Sequence, residues 1–273
     1  MTPTISPMTP RKAVILAGGK GSRLAPYTTV LPKPLLPIGD RAILDVVIRQ
    51  LQGHGFLDMT FAVGYLAHLI QAVFGDGSEH GVSIQYHREQ TPLGTAGALS
   101  AIDGLDDTFL FMNGDVLTTL DYSKLYELHR RSGNVLTIAS HRRVVQTDYG
   151  VIHTDGPAGD TSRVTAYEEK PEMPFLVSMG VYVAEPSILD YIPRDEHFDM
   201  PEVVLRLIEA GQPVGSYLYD GFWLDIGRHA DYEQAIREYE GLLPALYRLP
   251  EHPPTTVPKT PTLRALPSER AAG

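Results

Sequence analysis

The chain has 273 residues and a formal net charge of -10 at pH 7, with 43% hydrophobic and 21% charged residues, proportions that fit one large α/β domain or two small ones. It contains no cysteine, which excludes disulfides and thiolate metal sites and fits a reducing compartment. The acidic balance argues against nucleic acid as the main partner, and the lack of an apolar signal core or a long apolar run points to a cytoplasmic location away from membranes.

Residues 1–10 read as a flexible proline and threonine arm. Ala13-Val14-Ile15-Leu16 is an apolar run that stops at glycines, as a buried strand does on emptying into a loop. Gly18, Gly19 and Gly21 would let backbone N–H groups approach phosphate oxygens, while Arg23 and Lys33 supply fixed positive charge. No acid precedes Asp40, so Arg11, Lys12, Lys20, Arg23 and Lys33 stand unopposed, a local concentration suited to a polyanion.

Ile43 to Gly53 carries a helical stripe of Ile43, Val46, Val47 and Leu51, closed by Gly53-His54-Gly55. Met59 to Val63 reads as a strand, Tyr65 to Phe74 as a helix, Val82 to His87 as a strand, Ala96 to Ile102 as a short helix and Thr108 to Met112 as a buried strand. That alternation predicts a mainly parallel sheet with helices on both faces, where ligands gather beyond the carboxyl ends of the strands. Tyr122 to Arg131 continues as helix; Val135 to Ala139, Gly150 to His153, Val164 to Tyr167 and Leu176 to Ala184 as strands. Pro201 to Glu209 is a helix that Asp199 would cap. Val214 to Tyr219 and Phe222 to Asp225 return to the sheet, and Ala230 to Tyr239 is the last helix. From 241 to 273 the density of proline predicts an extended tail.

Two familiar glycine motifs fail at the first loop. A P-loop needs glycine where Val14 stands and Ser or Thr where Gly21 stands. A dinucleotide fingerprint from Gly19 would need Gly or Ala where Leu24 stands. The stretch Leu16-Ala17-Gly18-Gly19-Lys20-Gly21-Ser22-Arg23-Leu24, with Pro32-Lys33-Pro34, instead resembles the signature Leu-Ala-Gly-Gly-x-Gly-[Ser/Thr]-Arg-Leu and Pro-Lys-Pro of the sugar-1-phosphate nucleotidyltransferases, or NDP-sugar pyrophosphorylases. The resemblance covers about residues 11–240. It implies a Rossmann-like, mixed, mainly parallel sheet of the nucleotide-diphospho-sugar transferase type, with a nucleotide-binding part over about 11–120 and a sugar-binding part over about 121–240.

The resemblance also implies roles. Leu16, Ala17, Gly18, Gly19 and Gly21 would meet the nucleotide, with Arg23 and Lys33 on its phosphates. Asp115, after a strand and Asn113-Gly114, and Asp225, in Trp223-Leu224-Asp225-Ile226-Gly227, would hold one Mg²⁺, an ion that takes hard oxygen ligands together with substrate phosphates. Glu169-Lys170-Pro171 resembles the segment whose lysine contacts the sugar phosphate and whose glutamate accepts from sugar hydroxyls, which assigns Lys170 and Glu169. Asn113 and the backbone of Gly150 would face the sugar. Gln90, Gly94 and Thr95 fall in Glu89 to Gly97, which resembles the base-recognising loop in the Leu-Gly-Thr-Ala-Gly form common among mannose- and heptose-1-phosphate guanylyltransferases. GTP is therefore favoured, and dTTP and UTP stay open.

Ser178 stands where the family commonly has asparagine, so a sugar or sugar-like 1-phosphate other than ordinary mannose is expected. With such substrates, catalysis reduces to alignment and charge neutralisation, without a protein nucleophile. A non-catalytic NDP-sugar-binding subunit, and a transferase acting on a preformed NDP-sugar, are the competing readings. A homo-oligomer is compatible with either.

Overall fold

The computed structural model describes residues 10–156 and 162–247. Residues 1–9 of the expected arm and 248–273 of the expected tail lie outside the described residues. The elements run β1 (Arg11–Ala17), β2 (Pro37–Ile38), β3 (Arg41–Ala42), α1 (Ile43–Gly53), β4 (Phe56–Val63), α2 (Ala67–Phe74), β5 (Ser83–Arg88), α3 (Gly94–Gly97), β6 (Phe109–Asn113), β7 (Val116–Thr118) and α4 (Tyr122–Ser132). They continue with β8 (Leu136–Gln146), β9 (Val151–Thr154), β10 (Val164–Glu168), β11 (Glu172–Ala184), α5 (Met200–Glu209), β12 (Val214–Leu218), β13 (Trp223–Asp225) and α6 (His229–Leu246).

Seven strands form one sheet in the order β12-β8-β11-β6-β1-β4-β5. All run parallel except β11, which is antiparallel to both neighbours. The mixed, mainly parallel α/β architecture read from the sequence is thus the observed one. Alternation along the central strands divides the core. Ala13 and Ile15 of β1, with Leu110 and Met112 of β6, pack on one face beside α1, α2 and α4. Val14, Phe109 and Phe111 pack on the other beside α5, as a period-two pattern buried on both faces requires. Phe111 stacks on Tyr182 of β11 at 4.7 Å between ring centroids, and Phe111→Ala would cost about 3–5 kcal/mol. A third cluster, with Leu24, Leu36, Ile43, Leu117, Leu224 and Tyr239, anchors the glycine-rich loop between α1 and α6.

Local chemistry sets the helix ends. Asp121 caps α4 by accepting from the Lys124 amide at 2.9 Å, and Gly133 closes it with φ of 69°, the left-handed conformation glycine adopts freely. Asp199 and Glu202 form a reciprocal capping box on α5, which satisfies amides the helix leaves unpaired.

The structure departs from the sequence reading most in three places, besides the unread strand β7 and the expected Ala96–Ile102 helix, which is α3 followed by a 3₁₀ turn over Ala98–Ala101. Helix α6 runs past Gly241 and through Pro244 to Leu246. Its apolar stripe continues over Leu242, Leu243 and Leu246 into the third cluster, and the Gln50 side chain donates to the Leu246 carbonyl at 3.0 Å. Burial outweighs the loss of one helical hydrogen bond at proline. Strands β8 and β11 extend as an exposed two-stranded ribbon, Gln146 pairing Glu172 at its far end; Arg142-Arg143-Val144-Val145 has no alternation to reveal it. Finally, β13 pairs with β7 in a separate ladder, outside the main sheet. Among the described residues no helix is long and apolar enough to cross a membrane.

Candidate active site

Strand β1 opens into the glycine-rich loop at the carboxyl edge of the sheet. A Cβ on Gly18 would meet the Glu89 carboxylate, and one on Gly64 would sit 2.9 Å from the Gly18 carbonyl oxygen, so glycine at position 64 lets the ends of β1 and β4 close on each other there. Gly21, at φ of +61°, turns the chain into a short 3₁₀ turn that carries Arg23, and its carbonyl accepts from the Thr28 hydroxyl at 2.9 Å. A second 3₁₀ turn starts at Lys33.

Strand β6 delivers Asn113, Gly114 and Asp115 beside that loop; the Gly114 amide donates to the Leu16 carbonyl at 2.9 Å. Lys33 Nζ forms an ion pair with Asp115 Oδ2. The Ile226 amide donates to the Asp115 carbonyl at 3.1 Å, and Asp225 stands opposite Val116 in the β13–β7 ladder. Trp223 holds β13 to β11 by donating its indole N–H to the Met179 carbonyl at 3.0 Å. Burial, and then the nearby Asp115 charge, push the Asp225 carboxyl above its ordinary value; Lys33 and Arg23 oppose the shift. Asp115 Oδ1 is buried without a hydrogen-bond partner. Two carboxylates forced together, one oxygen unpaired, and cations on one side suit a hard cation better than they suit each other. Among the described residues no third His, Cys, Asp or Glu joins them to complete an all-protein metal cage.

The glycine-rich loop, Arg23, Lys33 and Asp115 open onto a cavity of about 840 Å³, a size that accepts a nucleotide-sized ligand. Of the residues singled out in the sequence, Leu16, Ala17, Gly18, Gly19, Gly21, Arg23, Lys33, Gln90, Gly94, Thr95, Asn113 and Asp115 all line it. The cationic loop and the first aspartate therefore face one space. Asp225 is not part of the lining but lies within electrostatic reach of Asp115, Lys33 and Arg23.

Gly94 and Thr95 also have a packing duty. A Cβ on Gly94 would sit 2.6 Å from the Phe198 carbonyl. The Thr95 hydroxyl donates to Asp199 at 3.0 Å and accepts from the Met200 amide at 2.9 Å, which ties α3 to α5 and turns that hydroxyl inward.

Gly150, Glu169, Lys170 and Ser178 do not line the cavity. Gly150 and Glu169 meet through Tyr167, whose ring occupies the space a Cβ on Gly150 would fill and whose hydroxyl donates to Glu169 at 2.9 Å. Lys170 takes a left-handed backbone, φ 47°, at the turn into β11. The Ser178 hydroxyl donates to Tyr182 at 2.9 Å, and a Cβ on Gly180 would lie 2.7 Å from Asn113 Nδ2, so on β11 it is Gly180 that packs against a residue of the cavity wall.

Tyr65, Arg88 and Glu89 also line the cavity without having been singled out as site residues, as does Lys20, which the sequence marked only as one of the unopposed cations. Arg88 ends β5 and Glu89 follows it, and their place at a carboxyl end was the available signal. Tyr65 carries none, since its hydroxyl is directed to the Thr29 carbonyl at 2.9 Å.

Comparison with protein families matches residues 12–241 to the family described as nucleotidyl transferase. A UTP--glucose-1-phosphate uridylyltransferase from Synechocystis is 35% identical over 83% of this chain and 62% of its own length. A mannose-1-phosphate guanylyltransferase from Mycobacterium tuberculosis is 33% identical over 81% of this chain and 62% of its own. The chain thus spans under two thirds of these curated relatives. Among solved structures, HddC from Yersinia pseudotuberculosis superposes with a TM-score of 0.64 at 24% identity, covering 84% of this chain and 99% of that one. Relatives named for different bases stand at similar identity, so the comparisons single out none. The family match spans the glycine-rich loop, both aspartates and the whole of the sheet: the chain belongs to the nucleotidyl transferase family.

Proposed function

We propose that the protein transfers a nucleotidyl group from a nucleoside triphosphate, GTP in preference, to a sugar or sugar-like 1-phosphate, giving an NDP-sugar and pyrophosphate. The observation that carries this reading is the convergence of Lys33, Arg23 and Asp115 on a glycine-lined cavity, with Asp225 within electrostatic reach of all three. Joining two phosphorylated substrates brings like charges together, and a site for it must neutralise and align them. Alignment of bound reactants can supply about 7–11 kcal/mol of barrier lowering.

In this reading a phosphate oxygen of the sugar 1-phosphate attacks the α-phosphorus in line, and pyrophosphate leaves toward Arg23 and Lys33. Asp115 and Asp225 would hold Mg²⁺, which when bound supplies charge neutralisation and orientation of phosphate oxygens. Lys170 would orient the attacking phosphate and Glu169 the sugar hydroxyls, reached from the β10–β11 turn. Support for GTP is the Leu93-Gly94-Thr95-Ala96-Gly97 loop and the guanylyltransferase relatives in bacteria, plants and fungi. The uridylyltransferase relative keeps UTP as the runner-up. Ser178, shorter than the asparagine expected there, favours a substrate other than mannose 1-phosphate.

Pyrophosphate release over GTP, dTTP, UTP, CTP and ATP, crossed with hexose and heptose 1-phosphates, tests the reading. Release with one triphosphate and one sugar phosphate supports it. No release from any pair, with retained binding of an NDP-sugar, would replace it with a sensor.

A further inference from the structure

Between β1 and β2 the chain makes an excursion over residues 18–35, built of short 3₁₀ turns at Ser22–Leu24, Tyr27–Thr29 and Lys33–Leu35. Such turns carry few well-aligned hydrogen bonds of their own, so the excursion keeps one shape only where other elements moor it. Arg23 depends on that shape. Lys33 is fixed by its ion pair with Asp115, whereas among the described residues Arg23 has neither a hydrogen-bond nor an ion-pair partner. Its place is set by the backbone that carries it.

The moorings come from three sources. Leu24 is buried in the third core cluster. From α6, His229 Nε2 donates to the Ala25 carbonyl at 2.9 Å, and the Tyr27 ring leans on His229 and Tyr232 with centroids 5.6 and 5.9 Å away. From the end of β4, the Tyr65 amide donates to the Gly18 carbonyl at 3.2 Å and its hydroxyl to the Thr29 carbonyl at 2.9 Å. Among the described residues Tyr65 is the one residue outside the excursion that bonds to it at two points, and those points flank Arg23 in the chain. Tyr65 also lines the cavity, so this brace stands on the wall a ligand meets.

We propose that Tyr65 is a positioning residue: it braces the excursion and so holds Arg23 ready for the phosphates of the triphosphate. The proposal rests on the nucleotidyl-transfer reading and is independent of which base the triphosphate carries. A cation set beforehand stabilises phosphate charge without the entropy cost of ordering it at binding. The effect therefore falls on ligands that meet Arg23, which are triphosphate and pyrophosphate, and spares the sugar 1-phosphate.

Tyr65→Phe keeps the ring and removes the hydroxyl. Calorimetric binding of inorganic pyrophosphate with Mg²⁺ to the wild type, Tyr65→Phe, Arg23→Gln and the double variant reads the brace independently of turnover. Tyr65→Phe should weaken pyrophosphate binding about three- to tenfold, the range for one lost hydrogen bond, and raise the KM for triphosphate by a similar factor. The KM for sugar phosphate should stay within about twofold, and the melting temperature within about 2 °C. In the Arg23→Gln background the same substitution should weaken binding by less than about twofold, because a brace that acts through Arg23 has nothing left to hold.

Unchanged pyrophosphate affinity in Tyr65→Phe overturns the proposal and leaves nucleotidyl transfer standing. So does a full additive loss in the Arg23→Gln background, which would mark a hydroxyl acting on the ligand itself. A rise in both KM values with a lowered melting temperature would mark a structural role alone and overturns it too. The expected binding pattern without pyrophosphate release from any triphosphate overturns nucleotidyl transfer and keeps the brace on an anion site. Should Tyr65→Phe fail to fold, hydrogen exchange of the wild type decides. The Leu24 and Thr29 amides, which donate to the Gly21 and Pro26 carbonyls, should be protected in the free protein, and protection that arises only with pyrophosphate overturns the proposal.

Discussion

Lys33 closes its ammonium on Oδ2 of Asp115 and leaves Oδ1 of the same carboxylate buried and unpartnered, while Asp225 sits near enough for the Asp115 charge to raise its pKa. The pair is therefore arranged at the expense of the empty fold and in favour of a cation. Asp115→Asn should lower pyrophosphate release by about 100-fold or more, the scale of losing one preorganised electrostatic contact, with circular dichroism unchanged. Asp225→Asn should do the same. In chelator it should melt no lower than the wild type, because the substitution removes a charge that burial and Asp115 disfavour. Chelation should abolish turnover and Mg²⁺ restore it; Mn²⁺ titration by electron paramagnetic resonance checks the ion site independently, and binding that survives both substitutions would refute it.

Away from the cavity, Asp45 of α1 accepts from Arg41 at 3.0 Å, Arg49 at 2.8 Å and His80 at 2.9 Å. Burial alone would raise its pKa, but these partners, Arg49 foremost, hold it below the ordinary value of 3.8. A carboxyl depressed in the fold contributes stability that is present above its unfolded pKa and lost as pH falls through the folded one. Asp45→Asn should cost about 2–3 kcal/mol at pH 7, less than a fully buried pair because Arg49 is partly exposed. The deficit should begin to shrink as pH falls through 3.8, where the unfolded chain takes up the proton, and be gone below the depressed folded pKa, where the native wild type has lost the same charge. Urea unfolding at both pH values measures it, and a pH-independent deficit would point to packing instead.

The parallel half of the fold was legible because β1, β4 and β6 are apolar runs ended by glycine or by Asn113-Gly114, and because α1 shows a clean stripe that predicts its observed bounds, Ile43–Gly53. The shared cavity wall of the glycines with Arg23 and Lys33 was legible for a related reason, since these residues stand close together in the chain just past the end of β1. The ribbon of β8 and β11 was shorter in the reading than in the structure, because exposed strands need no alternation. Strand β7, only Val116–Thr118, is too short to leave a period. Glu89 stood inside a recognised segment, but the approach of its carboxylate to Gly18 is a contact between residues far apart in the chain, which no local pattern reveals.

Asp199 joins two elements at once. It caps α5 within the capping box and accepts from both the Thr95 amide at 2.8 Å and the Thr95 hydroxyl at 3.0 Å. Asp199→Ala should lower stability by about 1–2 kcal/mol from the lost cap and release the Gly94–Thr95 turn from α5. The expected kinetic signature is a KM for triphosphate raised about tenfold with the KM for sugar phosphate unchanged. Asp199→Asn keeps a capping oxygen and should recover most of the stability. Equal rises in both KM values would contradict a local effect on the nucleotide side.

Gly150 tests the opposite side. A Cβ there would occupy the place of the Tyr167 ring, yet Tyr167 is 62% exposed, so the ring can swing into solvent at little cost to the fold. Gly150→Ala should leave the melting temperature within about 2 °C, as surface substitutions do. The displaced ring would give up the Tyr167 to Glu169 hydrogen bond and leave the carboxylate assigned to sugar hydroxyls without the bond that orients it. The KM for sugar phosphate should then rise about tenfold, with the KM for triphosphate unchanged, the mark of ground-state binding lost on one substrate alone. Tyr167→Phe removes the hydroxyl without moving the ring and should reproduce part of that rise. If both variants leave the sugar-phosphate KM at the wild-type value, the β9–β10 hairpin has no part in binding that substrate, and the roles assigned to Gly150 and Glu169 fall together.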